Sequence, residues 1–276
     1  MLIDVTTTRS TVFRPDARIW PTTPRRPGGT SEEPDAAAPA GELTLLGGFR
    51  LVLEGRLLDV STTGQRLVAV LCCHSGSVAR RQIAHLLWPD ATSARAHANL
   101  RTVIYRLERT CPGLIRVSGS YLRLAAGLRI DLDSATALAN RILTAEGPLP
   151  AAVCNEALET DFYHDLLPDL DDEWLLEYQS RFRQLRLATL ETLSHRLSGA
   201  GLPGAAVCTA LALVQADSLR DSAHQTLIRA CLVQGNRQEA LSYFADYQRI
   251  FRDELGVEPA TSIGQLLDET PAGLDV

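Results

Sequence analysis

Between residues 93 and 109 the apolar positions Ala96, Leu100, Val103, Ile104 and Leu107 recur at i, i+4, i+7, i+8 and i+11. That is the stripe of a helix docked by one side. Its far side carries Arg95, Ala98, Thr102, Tyr105 and Arg109, with Arg101 and Arg106 on the shoulders and Glu108 at the edge. Two shorter helical periods precede it. Residues 65–74 bury Leu67, Val70 and Leu71 behind a capping box from Thr62 and Gln65. Residues 80–88 bury Ile83, Leu86 and Leu87 and stop at Pro89. Upstream, 43–46, 49–53 and 57–60 are short strand-like runs parted by Gly47-Gly48 and Glu54-Gly55, which predicts a small antiparallel sheet. Downstream, 114–117 and 121–124 flank Ser118-Gly119-Ser120 as a β-hairpin. Sheet, three helices and hairpin in this order predict a winged helix of the helix-turn-helix class.

The pattern then turns helical throughout. Residues 134–145 and 151–160 read as helices around the break Gly147-Pro148-Leu149-Pro150, and 161–172 crosses to four longer helices at 173–197, 203–215, 219–234 and 237–254. These pair as two hairpins of helix-turn-helix repeat length. Ala205, Ala210, Ala230 and Ala240 permit close packing. Tyr243, Phe244, Tyr247 and Phe251 are expected between helices, and a short helix at 260–267 is expected to cap the stack. Residues 1–40, rich in Pro, Thr, Ala and Gly without sustained period, read as a disordered arm. The expected fold is therefore mainly α with a small β component. A winged helix-turn-helix domain at 41–130 is followed by an all-α, tetratricopeptide-like array at 131–270 and a tail at 271–276.

Charge sharpens this division. The 276-residue chain has a net charge of −6, yet residues 41–130 hold 12 Arg against 5 acidic residues, +7, while 131–276 hold 10 Arg against 23, −13. A basic half beside an acidic one points to a nucleic-acid module joined to something else. All 27 basic residues are Arg, a composition bias without mechanistic content. The six cysteines show no CxxC spacing and read as reduced thiols, with neither a metal site nor a disulfide frame. No apolar run is long enough to span a bilayer and the N-terminus lacks the order of a signal peptide, so a cytoplasmic, nucleoid-associated protein is expected.

Catalytic motifs are missing. GxSxG and HExxH do not occur, and a Walker loop needs a Lys the chain lacks. The acids Asp161, Asp165, Asp169, Asp171, Asp172 and Glu173 do not have EF-hand spacing. No enzyme, cofactor or metal is expected. Arg can pair with guanine edges or with phosphates in a major groove. The candidate DNA contacts are Arg95, Asn99, Arg101, Thr102, Tyr105, Arg106 and Arg109 on the third helix. Arg116, Ser118 and Arg123 are weaker candidates in the hairpin. A helical-repeat adaptor that binds only protein is the alternative; the charge split and the bare Arg/Thr/Tyr face speak against it.

The stretches LLGGFRLVLEGRLLDV, IAHLLWPD, ARAHANLRTVIYRLER and YLRL with IDLD resemble the DNA-binding half of the Streptomyces antibiotic regulatory proteins. Those are bacterial activators with an OmpR/PhoB-type winged helix. Residues from LLPDLDDEWLLEYQ to RDELGVEPA are similar to the bacterial transcriptional activation domain, and together the two regions cover about 43–267. Trp88-Pro89, Asn99-Leu100-Arg101 and the ending at 254–259 carry the resemblance in combination. It implies binding to promoter direct repeats in double-stranded DNA, self-association there, contact with RNA polymerase holoenzyme and control of an antibiotic cluster. Three positions depart from the pattern. Ala79 stands where a hydroxyl cap is usual, and His97 and Tyr105 are unusual on the third helix. A phosphorylation-controlled effector is disfavoured, since no receiver domain is expected ahead of residue 41. No added nucleotide-binding domain is expected either.

Overall fold

The computed structural model describes residues 41–74 and 76–257. The arm over 1–40, the capping helix over 260–267 and the tail over 271–276 lie outside those residues. Strands β1 (Gly41–Thr44), β2 (Arg50–Leu53) and β3 (Arg56–Leu58) form an antiparallel meander. The turn from β2 to β3 places both Glu54 and Gly55 at positive φ, the backbone a tight hairpin requires. This sheet is mixed, not purely antiparallel as the short runs suggested. Its fourth strand, β7 (Leu128–Ile130), joins β1 in parallel with Ile130 opposite Leu43.

Helix α1 (Thr62–Cys73) begins before the expected residue 65, and the capping box does not form. Ser61 is the N-cap without a side-chain bond, and the Gln65 amide instead donates to the Val60 carbonyl at 2.8 Å. Within this helix, a Cβ at Gly64 would lie 2.9 Å from Val60 Cγ1 and 3.1 Å from Leu107 Cδ2, so glycine allows the third helix its close approach. A strand absent from the sequence reading, β4 (Val78–Ala79), follows. It pairs with β6 (Tyr121–Leu124), which pairs with β5 (Ile115–Ser118). Between them lie α2 (Arg80–Leu87) and α3 (Ser93–Thr110). Ala79 gives α2 no side-chain cap, but the Arg80 N–H donates to the Ser120 carbonyl at 2.8 Å, so the hairpin turn occupies one of the orphan donors.

Helix α4 (Asp131–Thr144) starts at Asp131, not at residue 134. The Asp131 carboxylate accepts the backbone N–H groups of Leu45 and Leu46 at 2.9–3.0 Å and that of Leu132 at 2.7 Å. One side chain thus ends β1 and opens α4. After α5 (Ala151–Glu159) the crossover returns to the end of β1, where the Leu167 N–H donates to the Leu45 carbonyl at 2.8 Å and the Gly47 N–H to that of Asp165 at 2.9 Å. Helices α6 (Glu173–Gly199), α7 (Pro203–Ala216), α8 (Asp221–Val233) and α9 (Arg237–Leu255) then stack in chain order.

Ala210, Ala230 and Ala240 are buried at these helix contacts, and Ala205 is half-buried. Tyr247 and Phe251 are buried with ring centroids 4.5 Å apart, while Tyr243 and Phe244 are half-buried. The apolar core runs continuously from the sheets into the stack. At the seam Arg66 of α1 forms an ion pair with Asp172 and donates to the Leu87 carbonyl at the end of α2. His74 meets Tyr178 with ring centroids 5.5 Å apart, and the Gln179 amide donates to the carbonyls of Leu166, Leu167 and Leu170. Among the described residues no helix is long and apolar enough to cross a membrane.

Candidate nucleic-acid interface

The side of α3 that faces the core buries Ala96, Leu100, Val103 and Leu107, with Ile104 half-buried beside them. The Thr92 hydroxyl accepts the Arg95 N–H at 3.4 Å and fixes where the helix begins. Arg95, Arg101, Thr102, Tyr105, Arg106 and Arg109 are all exposed, whereas Ala98 and Asn99 are half-buried. The helix therefore brings the strongest sequence candidates onto one solvent-facing surface, with Asn99 at its margin. Glu108, the single acid of α3, is engaged at the helix end, where its carboxylate accepts the Gly113 N–H at 3.1 Å. The cationic face is left without an internal counter-charge on its own helix.

Two side chains on or beside this face are held by their own backbone. The Thr102 hydroxyl donates to the Ala98 carbonyl at 3.1 Å, and His97 Nδ1 is 2.8 Å from the Ser93 carbonyl oxygen. Tyr105 is 64% exposed, and the Arg109 guanidinium carbon lies 6.0 Å from its ring centroid, at the reach of a cation–π contact. That contact restrains two long side chains one helical turn apart.

In the hairpin, strand register decides which residues share a face. Arg116 is opposite Arg123 and Ser118 is opposite Tyr121, so these four project from the same side. Ser118 and Tyr121 are exposed, and Arg116 and Arg123 are half-buried. Tyr121 was missed by the sequence reading, although alternation along 121–124 was the available signal. The tip turns through Gly119 at φ +56°, the left-handed conformation glycine adopts without cost. Through the Arg80–Ser120 bond the hairpin is tied to the start of α2, so hairpin and helices form one surface.

Three acids of the crossover, Asp161, Asp165 and Asp172, are spent on structure. Asp161 accepts the N–H groups of Tyr163 and His164 at 3.0 and 3.1 Å and pairs with the His164 ring. Asp165 pairs at 2.7 Å with Arg186, a buried guanidinium that also donates to the Tyr163 carbonyl, and Asp172 holds Arg66. All six cysteines are free thiols; burial pushes Cys73 up to about 12 and Cys231 up to about 11, which leaves both protonated and unreactive at neutral pH.

The description "Bacterial transcriptional activator domain" matches residues 130–269, half of the chain. The chain is 30% identical over 250 residues to the regulatory protein AfsR of Streptomyces coelicolor, covering 88% of this chain and 25% of that protein. It is 27% identical over 243 residues to AfsR of Streptomyces griseus, covering 84% and 24%. The chain thus spans about a quarter of the length of these curated relatives. Among solved structures, Mycobacterium tuberculosis EmbR in complex with a low affinity phosphopeptide shares the fold, with a TM-score of 0.63 at 16% identity over 84% of this chain and 65% of that one. By the match over its helical half the chain belongs to the bacterial transcriptional activator domain family, as the resemblance to the Streptomyces antibiotic regulatory proteins implies.

Proposed function

We propose that the protein is a sequence-specific, DNA-binding transcription activator acting in the cytoplasm at the nucleoid. In this reading residues 41–130 contact double-stranded DNA, with α3 in the major groove and the β5–β6 hairpin along the backbone. Arg101, Arg106 and Arg109 carry the main contacts, Arg95, Asn99, Thr102 and Tyr105 further ones on the same helix, and Arg116, Ser118 and Arg123 those of the hairpin. Residues 131–270 supply contacts to a second protomer on promoter direct repeats and to RNA polymerase. The regulated genes form an antibiotic biosynthetic cluster, as the resemblance to the Streptomyces antibiotic regulatory proteins implies. The observation that carries this reading is the exposed face of α3, cationic and clear of acids, in a half with net charge +7.

The test is a gel shift of the purified chain on promoter fragments neighbouring its own gene, at two salt concentrations, with and without random competitor. Phosphate contacts release counterions, so a specific complex should survive competitor and weaken steeply with salt. Absence of any shift at low salt would return the molecule to the protein-only adaptor reading.

A further inference from the structure

The centre of the proposed groove-facing surface is not cationic. Opposite the buried stripe of α3, the outermost line runs through Ala94, Ala98, Thr102 and Tyr105, and the arginines flank it: Arg101 on one side, Arg95 and Arg106 on the other, and Arg109 at its end. What these central residues offer is chemically uniform. Ala94 and Ala98 present methyl groups. Thr102 has its hydroxyl hydrogen committed to the Ala98 carbonyl, so it offers a partner no donor, only its methyl and an accepting oxygen. Tyr105 presents an aromatic ring, 64% exposed and restrained by the Arg109 guanidinium. The guanidinium donors thus lie on the flanks, and apart from the Tyr105 hydroxyl and the Thr102 oxygen the midline is an apolar ridge.

In the major groove only one base edge matches such a ridge. Guanine, cytosine and adenine present hydrogen-bonding atoms there, while thymine alone adds a C5-methyl group. We infer that α3 reads thymine methyls along the Ala98–Thr102–Tyr105 line, so that the target carries thymines at the centre of each half-site, flanked by positions where the arginines meet guanine edges or phosphates. This rests on the DNA-binding reading above and gives it a base class. Thr102 and Tyr105 become the specificity-determining residues, and the Tyr105 phenol hydroxyl is dispensable. Burying one methyl group is worth about fourfold in affinity per contact.

The experiment first selects bound duplexes from a random-sequence pool with the full chain. The winning duplex is then resynthesised with deoxyuridine in place of each thymidine in turn, which deletes one methyl and leaves every hydrogen bond of the base pair in place. Wild type should lose about fourfold at the central thymines and nothing at outlying ones. The Thr102→Ser and Tyr105→Ala variants should bind the thymine duplex more weakly and lose their sensitivity to uracil at the contacted positions. Thr102→Val and Tyr105→Phe, which keep the methyl and the ring, should behave as wild type. Tight, salt-sensitive binding that ignores uracil at every position, or a selected site without thymine, would overturn the inference and leave the DNA-binding reading standing. Failure to enrich any duplex would overturn both.

Discussion

His224 shows how this chain places an ionisable group where burial disfavours its charged form. Its ring is stacked 4.5 Å from that of Tyr247 and edge-on to Phe251, and its Nε2 lies 2.8 Å from the Ser218 carbonyl oxygen. Burial holds its pKa below the ordinary value of 6.5, outweighing the Ser218 hydrogen bond and nearby Asp221, which raise it. The folded state therefore stays neutral where the unfolded chain takes up a proton, so the contribution is fully present above about pH 6.5 and is lost as pH falls below it. His195 is depressed in the same direction, by burial and then by Arg229. Thermal midpoints at pH 7.5 and 5.5 should differ for wild type, and His224→Phe should reduce that difference. An identical pH dependence in the variant would show that His224 takes up its proton alike in the folded and unfolded chain, against this reading. The histidine was visible in the sequence only as one of six scattered residues, because its partners arrive from α9 and the turn before α8.

Among elements, those set by local periodicity were legible and those set by pairing were not. The apolar stripe of α3, the strands flanking Gly119 and the break before α5 follow from neighbours in sequence. Strand β4 is two residues long and exists because β6 offers an open edge, and β7 exists because β1 accepts a parallel partner. Thr62 and Gln65 had the spacing of a capping box, but Val60 supplied a better acceptor and the helix wound back past it. Ala79 presents a testable case. Its φ of −65° and ψ of 133° suit an N-cap, and the Arg80 N–H is already taken by Ser120, which leaves the next N–H groups for a side chain. Ala79→Ser should raise stability by about 0.5–1 kcal/mol, read as a higher urea midpoint at unchanged slope. An unchanged midpoint would mean that the hairpin turn alone meets the needs of this terminus.

At the scale of the whole molecule, the charge split divides the chain in two but does not mark the junction. Arg66 and Asp172 are 106 positions apart, and nothing local to either marks them as a pair. Once the crossover has paired with the end of β1, they connect α1, the end of α2 and the start of α6. Asp172→Ala should cost about 1–2 kcal/mol, discounted for the partial exposure of Arg66, and should separate one thermal transition into two. A single unshifted transition would show that the continuous apolar core suffices. The central claim, that α3 is the DNA-reading surface, is tested most directly by replacing Arg101, Arg106 and Arg109 together with Ala and measuring DNA affinity across salt concentrations, with the helical circular dichroism matched to wild type. We predict weaker binding and a log–log salt slope shallower by about 0.9 for each phosphate contact removed. Unchanged affinity and slope in a folded triple variant would contradict the account and remove this helix from the interface.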